Sequence, residues 1–193
     1  MRRVYIAVSL DGYIAGPDND LEWLEHVPNP SGSDFGFADH MASIDAVVMG
    51  RGTFEAISHI RPWPYDKPVV VASSTLAEMP AELGNSVRLM TGTPEEVVQQ
   101  CADLGYLDLY IDGGRLVTSF LRSDLIDEMV LSRIPVILGG GILLFGPLPA
   151  PTWWEHVETT AFDGGLVQSV YRPAPTRTRV SDSTGPRLGD VGG

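Results

Sequence analysis

The chain has 193 residues, of which 44% are hydrophobic, and it carries 13 basic and 25 acidic residues for a net charge of −12. That charge argues against nucleic acid or an anionic membrane as the partner, because both need a basic protein surface. Its single cysteine, Cys101, excludes an intrachain disulfide, and its helical spacing from Val97 and Val98 predicts a small core residue.

Short apolar runs alternate along the chain with segments that have helical patterns. The predicted strands are continuously apolar, which is typical of a sheet covered on both faces. In chain order they are Val4–Val8, Ala46–Met49, Val69–Ala72, Val87–Met90, Leu107–Ile111 and Glu128–Arg133. The predicted helices between them are Phe35–Ile44, Thr53–Ser58, Pro94–Leu104 and Leu116–Leu121. This alternation predicts an α/β fold with a largely parallel central sheet flanked by helices.

The C-terminal part of the chain has a different character. Two strand-like runs flank Asp163–Gly164–Gly165, a pattern that predicts an antiparallel hairpin at the edge of the sheet. The following segment is rich in Pro, Ser, Thr and Gly and has too few apolar residues to order itself. We therefore expect one domain over residues 1–173 and a disordered tail over residues 174–193.

Targeting and metal-binding patterns are missing from the sequence. The apolar run before Asp11 is too short for a signal peptide, and glycines and prolines interrupt the uncharged run Ile134–Pro151. The four histidines are scattered, and none lies close in sequence to another histidine or to the cysteine. We expect a cytoplasmic protein without a membrane span and without a metal site.

A glycine break ends the second predicted strand, in the stretch VVMGRGTFE. Gly50 lets the chain turn after Met49, and Arg51, Gly52 and Thr53 then open a helix. Free backbone N–H groups at a helix start favour an anion, and an arginine adds a planar fork suited to phosphate.

A second glycine break, in LYIDGGRLV, repeats this arrangement. The strand ends at Ile111 or Asp112, Gly113–Gly114 permit a close approach of the backbone, and Arg115 opens the next helix. Ligands of parallel sheets bind at the carboxyl ends of the strands, where both breaks are predicted to lie. Neither break fits the Rossmann or P-loop glycine pattern. The alternative is that Arg51 and Arg115 pair with surface acids such as Glu55 or Asp112.

Five stretches of the chain carry a family resemblance. They are VSLDGYIAG (Val8–Gly16), VVMGRGTFE, KPVVVASS (Lys67–Ser74), MTGTPEE (Met90–Glu96) and the long stretch from Leu109 to Phe145 that contains both IDGGRL and ILGGGILLF. Together they resemble the dihydrofolate reductase superfold, and within it the RibD C-terminal-like reductase domain of riboflavin biosynthesis. The resemblance covers roughly Arg3 to Tyr171.

The resemblance implies a cytoplasmic, NADPH-dependent oxidoreductase that acts on a small molecule as a homodimer. The reaction would be hydride transfer to a heteroaromatic or carbonyl substrate, as in 5-amino-6-(5-phosphoribosylamino)uracil reductase. The implied cofactor residues are Ala7 and Ile14 beside the nicotinamide; Gly50, Arg51, Gly52, Thr53, Gly113, Gly114, Arg115 and Leu116 at the pyrophosphate; Ser73 and Ser74 at the 2′-phosphate; and Thr91 at the adenosine.

The substrate is expected to lie beside the loop-rich segment Asn19–Phe37. Trp23 and Phe35 are candidates to stack on a flat ring, or alternatively they pin a long loop to the core. Asp11 is expected in a mobile covering loop. The segment Pro17–His40 contains no Lys or Arg, which disfavours a phosphorylated sugar substrate.

The residue that donates the proton is the hardest one to assign from the sequence. Asp34 corresponds by spacing to the carboxylate of the folate-reducing relatives. The alternative is that Asp34 caps the helix predicted to open at Phe35, which is a preferred role for aspartate.

Two further hypotheses compete with a reductase. One is a sensor that binds NADP(H) without catalysis, and the other is an α/β protein that binds no nucleotide. Turnover of NADPH separates the first from an enzyme, and quenching of tryptophan fluorescence by NADPH excludes the second.

Overall fold

The computed structural model describes residues 1–76 and 78–175 of the chain. Its strands are β1 (Arg2–Val8), β2 (Tyr13–Ala15), β3 (Ala46–Gly50), β4 (Val69–Ala72), β5 (Val87–Met90), β6 (Leu109–Asp112), β7 (Glu128–Arg133), β8 (Ile142–Leu143), β9 (Trp154–Ala161) and β10 (Val167–Pro173). Its α-helices are α1 (Phe37–Ala42), α2 (Arg51–Ile57), α3 (Pro94–Asp103) and α4 (Gly114–Arg122). Short 3-10 helices cover Pro17–Asn19, Glu22–His26 and Ala81–Ser86.

The central sheet has the strand order β5-β4-β3-β6-β1-β7-β10-β9 in the described part of the chain. The strands from β5 to β7 in this order run parallel to one another, and β10 and β9 run antiparallel. The predicted fold class is thereby confirmed, including the hairpin around Asp163–Gly164–Gly165. A small second sheet, in which β2 pairs with β8, was not predicted, because its strands are too short to give a pattern.

Continuous apolar strands supply both faces of the sheet. Along β6, Leu109 and Ile111 join the hydrophobic cluster that also contains residues of α3 and α4, whereas Tyr110 joins the cluster on the α1 and α2 side. The residues of β3 from Ala46 to Met49 are all fully buried. Each buried valine contributes about 1.5–3 kcal/mol relative to an exposed one. Cys101 lies in the α3 and α4 cluster, as the sequence predicts.

Helix starts follow local hydrogen bonding. At α3, Thr93 Oγ1 accepts from Glu96 N at 3.3 Å and Glu96 Oε2 accepts from Thr93 N at 2.8 Å. This capping box explains why the predicted start at Pro94 has the observed position. Helix α1 begins at Phe37 rather than at Phe35, because Phe35 and Gly36 have φ values of 57° and 88°.

The remaining sequence predictions concern membranes and the tail. No helix within the described residues is long and apolar enough to cross a membrane. Ala174 N donates to Trp153 O at 2.9 Å. The rest of the predicted tail, residues 176–193, lies outside the described residues.

His40, on α1, is an ionisable side chain buried between this helix and the sheet. Its ring stacks on Tyr5 with centroids 4.6 Å apart, meets Tyr110 edge-on at 4.7 Å, and keeps 7% of its surface exposed. Its Nε2 has no hydrogen-bond partner among the described residues. Burial, together with the charge of Arg3, lowers the pKa of His40 from 6.5 to about 4.

A His40→Phe variant is expected to lose a pH dependence of stability. Between pH 4 and 6.5 the unfolded chain binds a proton at His40 that the folded chain excludes, so this residue's contribution to stability rises with pH and is complete above pH 6.5. The full change is about 3 kcal/mol. Denaturant unfolding of both proteins from about pH 4 to pH 7.5 measures it. A difference in unfolding free energy that is constant with pH would contradict the assignment.

Candidate active site

The two glycine breaks, at Gly50 at the end of β3 and at Gly113–Gly114 after β6, lie side by side at the carboxyl edge of the sheet. We call them the glycine corners. Strands β3 and β6 are adjacent, and Met49 pairs with Asp112, so Gly50 and Gly113 follow at the same level. A Cβ atom built on Gly50 would lie 3.8 Å from the Cβ of Leu116, in the opposite corner. Gly113 has a φ of 96°, and a Cβ there would overlap Thr53 Oγ1. Each corner therefore packs directly against the other.

A cavity of about 810 Å³ opens along this edge of the sheet. It extends from the ends of β4 and β5 to β1 and β2. The cavity is lined by most of the residues predicted to bind cofactor, namely Ala7, Ile14, Gly50, Arg51, Gly52, Thr53, Ser73, Ser74, Gly113, Gly114, Arg115 and Leu116. Thr91 is not among the lining residues, but its neighbour Gly92 is.

Two arginines are the cations among the described lining residues. Arg51 Nε lies 3.6 Å from Glu55 Oε1, with about half of each side chain exposed (46% and 53%), so the pair predicted as an alternative is present. Ion pairs this exposed contribute little stability, so Glu55 does not hold Arg51 firmly. Arg115 is exposed and makes no ion pair with another described residue.

Ser73 closes a tight turn at the end of β4. Its Oγ accepts from Thr75 N at 3.2 Å and from Leu76 N at 3.1 Å. The Ser73 hydroxyl also lies 3.5 Å from Thr75 Oγ1, where either oxygen can be the donor, so its proton can go to Thr75 or to a ligand. Ser74 and Thr75 continue the lining of the cavity beside it.

Asp112 is a lining residue to which the sequence analysis gave no role in the site. Side chains alternate along a strand, so Asp112 points to the same face as Tyr110, towards α1 and α2. Burial raises the pKa of Asp112 to about 6, although a hydrogen bond from the Gly113 amide opposes this. The available signal was an acid placed between a buried strand and a glycine corner.

The lining includes Ile57, Tyr65 and Tyr110, which share the hydrophobic cluster on this face, and also Leu21 and Leu24; with Asp112 we call these residues the tyrosine-lined part of the cavity. Tyr110 donates its hydroxyl to the carbonyl of Tyr5 at 2.8 Å. The Tyr65 ring packs against Trp63 at 5.9 Å, and Trp63 packs against Phe54 at 6.4 Å. Trp63 thus belongs to the packing around α2 and supports Tyr65.

The side chains predicted to bind substrate lie elsewhere. Asp11 accepts from Ser9 Oγ at 2.6 Å and from the amides of Leu138 and Gly139 at 3.1 and 2.7 Å, which lowers its pKa and ties two loops together. The Phe35 ring packs edge-on against Phe162 at 5.0 Å. Neither residue lines the cavity, and Trp23 does not line it either. For Phe35 these contacts match the alternative of pinning a loop.

Asp34 also lies away from the cavity lining. Its carboxylate accepts from the amides of Gly36 and Ala38 at 3.0 and 2.9 Å, and these bonds lower its pKa. Gly36 is the N-cap residue of α1, and Asp34, two residues before it, accepts from the free amide of Ala38 in the first turn of the helix. A carboxylate held ionised in this way is a poor proton donor at neutral pH.

The RibD C-terminal domain family matches residues 3–168 of this chain. The chain belongs to the RibD C-terminal domain family. This member of the family is 33% identical over 175 residues to uncharacterized protein YwjB of Bacillus subtilis strain 168, which covers 87% of this chain and 95% of that protein.

Solved structures extend the comparison of this RibD C-terminal domain. A putative riboflavin biosynthesis protein from Shewanella sp. PV-4 is similar with a TM-score of 0.85 and 40% identity, over 90% of this chain and 99% of that chain. A dihydrofolate reductase from Enterococcus faecalis complexed with NADP(H) has a TM-score of 0.65 and 21% identity, over 91% and 97% of the two chains. At that identity the likeness shows the fold alone. The resemblance inferred from the sequence is confirmed.

Proposed function

We propose that this protein is an NADPH-dependent reductase that transfers a hydride to a small heteroaromatic or carbonyl substrate. The observation that carries the proposal is the juxtaposition of Gly50 and Gly113 in one cleft, with Arg51 and Arg115 on its lining. The chain belongs to the RibD C-terminal domain family, and solved structures similar to it are reductases. Both findings support a reductase reaction.

The residues present fit a dinucleotide. The cavity of about 810 Å³ lies within the range of about 300–1,000 Å³ that small-molecule and cofactor sites occupy. A Cβ built on Gly52 would have no atom within 4 Å, so the backbone is open to a phosphate there. In a chain with a net charge of −12, two arginines in one cleft supply the positive charge that a polyanion needs.

The protein itself positions the cofactor and the substrate and donates a proton. Bound NADPH would supply the hydride, with Ala7 and Ile14 beside its nicotinamide ring and the glycine corners at its phosphates. Asp112 is the proton source in this proposal. Its raised pKa keeps part of the carboxyl protonated near neutral pH, and the open cleft lets water restore the proton after each turnover.

An Arg51→Ala variant is expected to bind NADPH about tenfold more weakly than the wild type, because a charge-assisted hydrogen bond to phosphate is lost. Quenching of tryptophan fluorescence on titration with NADPH measures the change. A parallel titration with NADH tests the 2′-phosphate assignment of Ser73 and Ser74, which predicts that NADPH binds more tightly.

Arg172→Ala is the matched control for this titration. Arg172 pairs with Glu128 at the start of β7, at the opposite edge of the sheet from the cleft. Its removal should leave NADPH affinity unchanged. Equal affinities of the wild type and the Arg51→Ala variant would refute the phosphate assignment.

The proposal includes a homodimer, which rests on the family resemblance. Sedimentation equilibrium of the purified protein measures the mass in solution, and a mass of one chain at all concentrations would remove the dimer from the proposal.

A further inference from the structure

We propose that Tyr65 and Asp112 form a donor pair that selects an uncharged, flat substrate through its hydrogen-bond acceptor atoms. This inference rests on the proposed reductase function and names the substrate class of the same cleft. It assigns a specificity role to Tyr65.

Both side chains reach the tyrosine-lined part of the cleft from different elements. Asp112 comes from the end of β6 and Tyr65 from the loop after α2, and the two groups interact electrostatically. Tyr110 also interacts with Asp112 but donates its hydroxyl to the Tyr5 carbonyl, so it is already engaged. The Tyr65 hydroxyl makes no hydrogen bond with any described residue. It is the tyrosine hydroxyl of this region that a ligand can use.

The side chains around the pair disfavour an anionic substrate. The described cations of the cleft, Arg51 and Arg115, both sit at the glycine corners, where the proposed cofactor phosphates bind. The rest of the tyrosine-lined part is apolar, with Leu21, Leu24 and Ile57. A phosphate or carboxylate placed here would lose solvation among apolar side chains and lie beside Asp112, whose ionised form would repel it. A flat apolar ring with carbonyl or ring-nitrogen acceptors loses no such solvation and meets two donors.

The protonation states of the pair suit this role. Burial keeps the pKa of Tyr65 and of Tyr110 above their usual range, so both hydroxyls stay neutral donors at working pH. Asp112 donates only while protonated, and its pKa is about 6. Tyr65 and Tyr110 are the titratable groups that interact with it, and Arg51, Glu55 and Arg115 are the other charged groups of the lining. Acceptor binding should therefore weaken as pH rises.

The test uses a probe that has acceptors only. N,N′-dimethyllumazine is flat, uncharged and free of acidic protons, and its ring carboxylate derivative adds one negative charge to the same shape. Calorimetric titration of the full chain, saturated with NADP⁺ so that no turnover occurs, gives the affinity for each compound. The proteins are the wild type, Tyr65→Phe and Asp112→Asn, with Tyr171→Phe on β10 as the matched control.

The pair predicts four results. The wild type binds the neutral probe up to about 30-fold more tightly at about pH 5 than at about pH 7.5, following the protonated fraction of Asp112. Tyr65→Phe weakens binding about three- to tenfold at both pH values. Asp112→Asn removes the pH dependence, because an amide donates at every pH. The carboxylate derivative binds at least about tenfold more weakly than the neutral probe.

Three outcomes would overturn the inference. They are wild-type affinity in Tyr65→Phe, equal affinity for the two compounds, and no saturable binding of the neutral probe by the wild type. The NADP⁺ titration that precedes each measurement separates the two proposals. Normal NADP⁺ binding with any of these outcomes leaves the reductase proposal standing, whereas no NADP⁺ binding by the wild type removes both.

Discussion

An Asp112→Asn variant is expected to be more stable than the wild type at about pH 7.5 while losing NADPH turnover by a factor of about 100 or more. The rate falls because an amide cannot supply the proton, and general acid catalysis typically contributes about 100- to 10,000-fold. The stability rises because the wild type must hold a carboxylate in a place that disfavours its charge.

The sign of the stability effect follows from the raised pKa. Between pH 3.8 and about 6 the folded chain keeps a proton on Asp112 that the unfolded chain releases, so the contribution of Asp112 to stability falls as pH rises. Above pH 6 the wild type carries the full cost, about 1–3 kcal/mol, because water in the cleft reduces the penalty of burial. His40 has the opposite dependence over almost the same range, so in the wild type the contributions of these two residues largely offset each other.

Two measurements check this prediction. Denaturant unfolding gives the difference in stability, and loss of the dihydronicotinamide absorbance with flat carbonyl or heteroaromatic substrates gives turnover. Glu158→Gln is the matched control, since it makes the same chemical change on the exposed strand β9. A variant less stable than the wild type above pH 6, or one with unchanged turnover, would contradict the role of Asp112.

A Gly113→Ala variant is expected to lose about 2–4 kcal/mol of stability and to bind NADPH about 100-fold more weakly. The backbone at Gly113 has a φ of 96°, which an alanine adopts only with strain, and the new methyl group would overlap Thr53 Oγ1. Relief of the overlap moves one glycine corner away from the other. A misplacement of about 1 Å in a site can cost about 100-fold in reaction rate, and we expect a loss of NADPH affinity of the same order.

Two further variants separate strain from overlap. Gly105 has a φ of 83° with no atom within 4 Å of a built Cβ. Gly105→Ala should therefore lose only the stability that backbone strain costs, about 1–2 kcal/mol. Adding Thr53→Ala to Gly113→Ala should restore part of the lost stability, because the overlapping atom is gone. Additive effects of the two changes in a double-mutant cycle would show that the corners are not in contact.

The sequence predicts the sheet well because buried parallel strands leave continuous apolar runs. Val69–Ala72 and Val87–Met90 have the predicted bounds. The small sheet of β2 and β8 was missed, because runs of two or three residues carry no periodicity. The start of α1 was predicted two residues too early, since nothing in the sequence indicates the positive φ of Phe35.

The candidate site was predictable only where a local pattern marks it. Glycines at strand ends indicate Gly50 and Gly113, but their contact depends on strand order, which a single sequence does not give. The sequence marks Asp112 only as the end of a strand, and its place in a cavity lined by residues distant in sequence leaves no local pattern. Spacing alone suggests Asp34 as the proton donor, whereas its carboxylate accepts from the amide of Gly36 before the helix and from that of Ala38 in the first turn.

The proposed reductase must hold one dinucleotide between its two glycine corners. Hydrogen exchange of backbone amides, measured by mass spectrometry with and without NADPH, tests it most directly. If both corners hold the cofactor, exchange slows in both 50–53 and 113–116, with the same dependence on NADPH concentration. Protection of one corner alone, or of neither at saturating NADPH, would contradict it.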